Sequence, residues 1–136
     1  MRRAVVLALI LVVAGAARAE DNGPFDVRHY DLRVALDWEA RSIVGEETIR
    51  VVVRRAGREL AFSDNALEIV SASVDGRDVA VRRDARRMIF VLPRDARAGS
   101  RMILKIAYRG TPRRGLIFES GLAYASYFAC DWMICD

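Results

Sequence analysis

The 136-residue sequence is poor in the side chains that assemble catalytic centres, with a single histidine, His29, and two cysteines, Cys130 and Cys135. A structural zinc site takes four nitrogen or sulfur ligands and a catalytic one usually three, so ligand arithmetic weighs against zinc here. The C-x4-C spacing is also foreign to the common close zinc pairs. A serine or cysteine nucleophile needs a base, and nothing in the sequence pairs His29 with Ser63, Ser126 or Cys130. Glycine-rich phosphate loops, EF-hand loops and nucleotide fingerprints are all missing. Glu46 and Glu47 are adjacent in a strand segment, so they point to opposite faces and cannot share a site. No catalytic, cofactor-binding or metal-binding residue is therefore assigned, and no cofactor is expected in this chain.

Long apolar runs are also scarce, and the one present lies at the start. Arg2 and Arg3 precede an apolar stretch from Ala4 to Ala14 and a small-residue Ala17-Arg18-Ala19 step. These are the three parts of a secretory signal peptide, and the run falls short of the roughly 20 residues that span a bilayer. Residues 1–19 are expected to be removed and 20–136 to form one exported domain, periplasmic or secreted, in an oxidising compartment and without a stable membrane anchor. The leader carries three of the 22 basic side chains, which leaves the remainder almost balanced against 18 acidic ones. A near-even balance supplies no concentrated positive field, so no nucleic-acid partner is expected. The arginine cluster RRDARR, 82–87, reads as a solvated turn between strands.

What the rest of the chain does have is β-pattern. In HYDLRVALD, Tyr30, Leu32, Val34 and Leu36 alternate with polar or small residues, the period of a half-buried strand. WEARS, 38–42, breaks the pattern, and IVGEETIRVVV then sets Ile43, Ile49, Val51 and Val53 on one parity, completing a hairpin. LEIVSASV and DVAVR flank Asp75-Gly76, a dipeptide suited to a tight turn, and predict a second hairpin. RRMIFVLP, ended by Pro93, and RMILKIAYRG add two more strands around the loop PRDARAGS. No stretch sustains a helical period. The fold class is all-β, an antiparallel β-sandwich or saddle-like domain.

After Gly110 the alternation fades and aromatics accumulate, ending in YFACDWMICD. An exported compartment suits a Cys130–Cys135 disulfide, but residues five apart in a continuous strand lie about 16 Å apart, whereas a bridge needs Cα atoms within about 7 Å. The bridge requires a sharp turn over Asp131 to Ile134; the other reading is two buried thiols. A segment this apolar must find cover, and poor solubility is expected of the chain alone.

PFDVRHYDLRVALDWEARSIVGEETIRVVV resembles the opening of the aminopeptidase N-like zinc metallopeptidases, whose first domain begins with a Y-D-L strand and a G-x-x-x-I hairpin partner. LAFSDNALEIVSASVDGRDVAV, MIFVLP and YRGTPRRGLIFESGLAY are similar to its later strands and glycine-rich exit, and YFACDWMICD resembles its F-P-C-x-D passage. The resemblance covers residues 24–136. It implies a non-catalytic N-terminal β-domain that packs against a catalytic metallopeptidase domain of the same parent chain and meets peptide substrate through it. Zinc, an H-E-x-x-H helix, a downstream glutamate and a G-x-M-E-N loop belong to that other domain, and the sequence printed here stops before them. Where the family carries a substrate-contacting glutamine or glutamate, this sequence reads AYASYFACDW. That makes Tyr124, Ser126 and Tyr127 candidates for lining the cleft, with interdomain packing as their other role, and the tail is expected to be a packing strand leading out of the domain. The alternative is a freestanding exported β-sandwich that binds protein or polysaccharide.

Overall fold

The computed structural model describes residues 23–125 and 129–135. The described residues contain ten strands and no helix: β1 (Phe25–Asp37), β2 (Ser42–Val53), β3 (Gly57–Ser63), β4 (Glu68–Val74), β5 (Arg77–Asp78), β6 (Ala80–Arg83), β7 (Arg87–Ala96), β8 (Arg101–Gly110), β9 (Leu116–Glu119) and β10 (Leu122–Ala125). They form a five-stranded sheet in the order β1-β2-β8-β4-β5, a three-stranded sheet β3-β7-β6 and the hairpin β9-β10. Every pairing is antiparallel. The all-β antiparallel class expected from period-two alternation is what the chain adopts.

The two larger sheets share one core. Ile49, Val51, Leu104, Ile106 and Tyr108 from the larger sheet are buried with Leu60, Phe62, Met88, Phe90 and Leu92 from the smaller one. Phe62 joins them through ring contacts with Phe25 on β1 and Phe90 on β7. The odd parity of β2 read from the sequence, Ile43, Ile49, Val51 and Val53, is the buried parity. On β8 the inward set is Leu104, Ile106 and Tyr108, with Met102 partly covered.

Three local expectations change. The DVAVR segment does not complete a simple hairpin: β5 pairs with β4 for two residues, and β6 then crosses to pair with β7 in the other sheet. Pro93 does not end its strand, because the β3–β7 register shifts between Gly57 and Glu59. Proline is tolerated at such bulges, where no ladder N–H is required. Opposite it, the Arg58 guanidinium donates to the Leu92 and Pro93 carbonyl oxygens at 3.0 and 3.2 Å. The third change is in the tail: residues 129–135 form a turn rather than a strand.

Gly45 is the most constrained glycine in the core. It lies opposite Tyr108 on the β2–β8 ladder, and a Cβ there would fall inside the Tyr108 ring. The missing side chain is what lets the largest buried residue lie flat across β2. Gly45→Ala is expected to destabilise the domain by about 1–3 kcal/mol in denaturant unfolding. Combined with Tyr108→Val it should cost less than the sum of the two single changes, since both act on one contact.

Candidate functional site

The distinctive chemistry gathers where β2 starts and β8 ends. Glu47 shares the odd parity of β2 and is only 2% exposed, the one buried charged residue among those described. Its Oε2 accepts the Ile134 N–H at 2.9 Å, and its Oε1 has no partner among the described residues. Burial raises its pKa to about 7, against the partial lowering effect of the Ile134 bond. The Tyr108 hydroxyl donates to the Trp132 carbonyl at 3.2 Å. Burial pushes its own pKa upward, and the neighbouring Glu47 charge adds to the shift.

These groups seat the C-terminal turn as a cap. Cys130 and Cys135 form a disulfide with Cα atoms 6.6 Å apart, and Met133 N–H donates to the Cys130 carbonyl, so the chain reverses within the closed loop. Ile134, at the head of the turn, is fully buried in the core. Asn65 Nδ2 donates to the Met133 carbonyl at 2.9 Å, the Ser63 N–H to the Cys135 carbonyl at 3.1 Å, and Arg114 pairs with Asp131 at 2.9 Å. Gly115, at φ +86°, leaves room for the Ala129 carbonyl where a Cβ would collide with it. The tail thus covers its apolar head within its own domain, against the expectation that it would need an outside partner.

Beside the cap, apolar surface remains open. Trp38, in the β1–β2 turn, stacks edge-on against Phe118 of β9 with ring centroids 5.7 Å apart. Trp38 is 48% exposed, and on the face of the β9–β10 hairpin opposite Phe118, Ile117, Leu122 at 56% and Tyr124 at 40% are exposed as well, as is Leu36 on β1. Tyr124 lies on the β10 strand of the hairpin; Ser126 and Tyr127, its companions in the sequence reading, lie outside the described residues. His29 is exposed beside the β1 bulge, opposite Arg50 and far along the strand from the cap. Among the described residues no three His, Cys, Asp or Glu side chains converge in a way that could hold a metal ion. The residues present do not fit zinc, and no step through zinc is assigned to them.

The site is therefore a braced cap beside a hairpin with an apolar outward face, and it defines the chain as an antiparallel β-domain. No protein-family model and no curated protein matches the sequence. Solved structures do. An M1 zinc metallopeptidase from Deinococcus radiodurans is 26% identical with a TM-score of 0.73, over 82% of this chain and 29% of that one. A point variant of an M1 zinc metallopeptidase from that organism, bound to a Tyr-Ser-Ala substrate, is 26% identical at a TM-score of 0.68, over 76% and 26%. Legionella pneumophila aminopeptidase A in complex with aspartic acid shares the fold alone, at 14% identity and a TM-score of 0.61, over 74% and 12%. The described chain has the fold of an N-terminal domain of an aminopeptidase N-like protein, and it spans only about a quarter of the length of the M1 structures it matches.

Glu47 escaped the sequence reading although its signal was there: it shares the parity of Ile43, Ile49 and Val51. Two measurements follow from its burial and from the disulfide. Because the folded pKa of about 7 lies above the ordinary glutamate value of 4.5, the folded state holds its proton where the unfolded state has lost it. Stability should fall as pH rises through the interval from about 4.5 to 7, by roughly 3 kcal/mol at most. Denaturant midpoints at pH 5 and pH 8 check this, and Glu47→Gln should flatten that slope. Replacing Cys130 and Cys135 with serine opens a short loop and should cost about 2 kcal/mol, read as a lowered Tm that reductant no longer changes.

Proposed function

We propose that this chain is the non-catalytic N-terminal domain of an exported zinc aminopeptidase-like enzyme, and that it packs against the catalytic domain and helps to wall its active site. The observation that carries the proposal is the M1 fold match, which takes most of this chain but only 26–29% of its partners' length. A similar structure is described as a two-domain M1 zinc metallopeptidase bound to L-tryptophan, which is the arrangement this reading requires. The outward face of the β9–β10 hairpin, with Ile117, Leu122 and Tyr124 exposed, supports docking, because apolar side chains grouped on one face favour a protein partner. Zinc, peptide hydrolysis and the recognition of the substrate's amino terminus then belong to the catalytic domain. This domain contributes shape and cover to the cleft, with Tyr124, Ser126 and Tyr127 as its nearest candidate lining. Export follows from the apolar stretch behind Arg2 and Arg3.

The first check is the polypeptide that carries the domain, which should encode H-E-x-x-H and a later glutamate in frame after Asp136. A stop codon there, with residues 20–136 binding a protein or polysaccharide by themselves, would favour the freestanding module instead. In the enzyme containing both domains, Leu122→Glu should lower kcat/KM for aminoacyl chromogenic substrates at least tenfold and separate the unfolding of the two domains. Val70→Glu, exposed on the β4 bulge, should do neither. Unchanged activity and a single shared unfolding transition in the Leu122→Glu enzyme would refute the docking reading.

A further inference from the structure

The charges of this domain are nearly balanced in number but unevenly placed. Around the smaller sheet, the β4–β8 edge and the tail, Arg82 pairs with Glu59, Arg83 with Asp64, Arg87 with Asp84, Arg109 with Glu68 and Arg114 with Asp131, while Arg33, Arg41, Arg86 and Arg113 have no ion pair among the described residues. At the end of the sandwich where β2 finishes and β8 begins, arginines without an ion pair stand closest together. Two adjoining depressions of about 540 and 490 Å³ share Arg101 and Met102. Arg77, Arg94 and Arg97 stand around the first, Arg28 and Arg50 around the second. Of these six arginines only Arg28 has an ion pair among the described residues, with Asp26, a carboxylate it shares with Arg54.

Three carboxylates stand against the six guanidinium groups: Asp75, whose Oδ1 also accepts the Ile103 N–H at 2.9 Å, Asp95, and Asp26 on Arg28. The arrangement is also repulsive in itself. Arg50 lies opposite Ile103 and Val52 opposite Arg101, so Arg50 and Arg101 are diagonal neighbours on the outward face. At that spacing, about 7–8 Å, the two long side chains repel weakly and can both reach one anion between them. Ile103, 42% exposed, projects from the same face in the midst of Arg28, Arg50 and Arg101.

We propose that this basic end is a peripheral docking surface for anionic phospholipid headgroups. Guanidinium forks match phosphate oxygens in pairs, and several arginines on one surface gain attraction additively at a negatively charged bilayer. Two open depressions side by side suit a plane of headgroups better than a single closed pocket would, and an exposed isoleucine ringed by arginines can enter the headgroup layer. The apolar hairpin rim lies at the other end of β2, about 30 Å away at 3.3 Å per residue, so the two surfaces can be engaged together. The inference rests on charge placement alone and stands whether or not the catalytic-domain reading holds.

The test is co-sedimentation of the full chain with phosphatidylcholine vesicles, with and without phosphatidylglycerol. The neutral vesicles set the baseline contributed by the apolar N-terminal run. Binding should rise at least tenfold with phosphatidylglycerol and disappear near 1 M salt, where screening acts over about 3 Å. The pair Arg50→Glu and Arg101→Glu should remove the increment, and the pair Arg50→Gln and Arg101→Gln should weaken it with less disturbance of the sheet. Arg50→Lys with Arg101→Lys should retain most of it. Reversing two exposed arginines at the opposite end, Arg41→Glu and Arg113→Glu, should leave it intact. Equal binding to both vesicle types would overturn the proposal, as would equal losses from reversals at the two ends. Binding to soluble polyphosphate without binding to vesicles would overturn it too, pointing to a dissolved polyanion.

Discussion

Glu47 stands on the core face of β2 with one carboxylate oxygen held by the Ile134 N–H and the other unpartnered among the described residues. An ionised carboxylate in such a place costs several kcal/mol unless it is well bonded, so its retention makes structural demands on everything around it. The acceptor must meet a donor, and the donor comes from a segment 87 residues away in sequence. Gly45 is small so that Tyr108 can lie across the strand, and Tyr108 in turn reaches the Trp132 carbonyl. The disulfide shortens the loop that presents Ile134, and Asn65 and Ser63 hold its carbonyls. The cap is a set of polar contacts laid over an apolar core, and removing the Glu47 carboxylate would leave the buried Ile134 N–H without its acceptor.

That network also separates the two ends of the sandwich in character. At the cap end, polar groups hold the tail, and exposed apolar side chains such as Trp38, Leu122 and Tyr124 lie among charged ones. At the far end arginines outnumber carboxylates, with Asp26 shared between Arg28 and Arg54. A near-even charge count conceals this, because it does not show where the charges lie. A β-domain whose two ends differ in character has a built-in orientation.

The reach of the sequence varied from element to element for physical reasons. Alternation in 30–36, 43–53 and 102–108 marked strands and faces correctly, because a side-chain period of two is a local property of extended backbone. The β9-β10 hairpin was not legible, since its strands are short and apolar on both faces, and β3 was passed over although Leu60 and Phe62 alternate with Glu59, Ala61 and Ser63. Pro93 misled because proline forbids a ladder hydrogen bond only where one is needed, and the β3–β7 bulge removes that need. The tail misled in the other direction: its apolar content implied an outside cover, whereas Ile134 reaches the core of its own domain.

By itself, then, the sequence determined the class of the domain, the parity of its principal strands and the shortage of metal-binding and nucleophilic side chains, all of which follow from composition and short-range periodicity. Only tertiary structure decided that Glu47 is buried and bonded to Ile134, that Cys130 and Cys135 close a turn rather than face opposite ways along a strand, and that unmatched arginines collect at one end. Each of these depends on which distant residues the sheets bring together, and pairing across 87 residues leaves no local trace in the order of the amino acids.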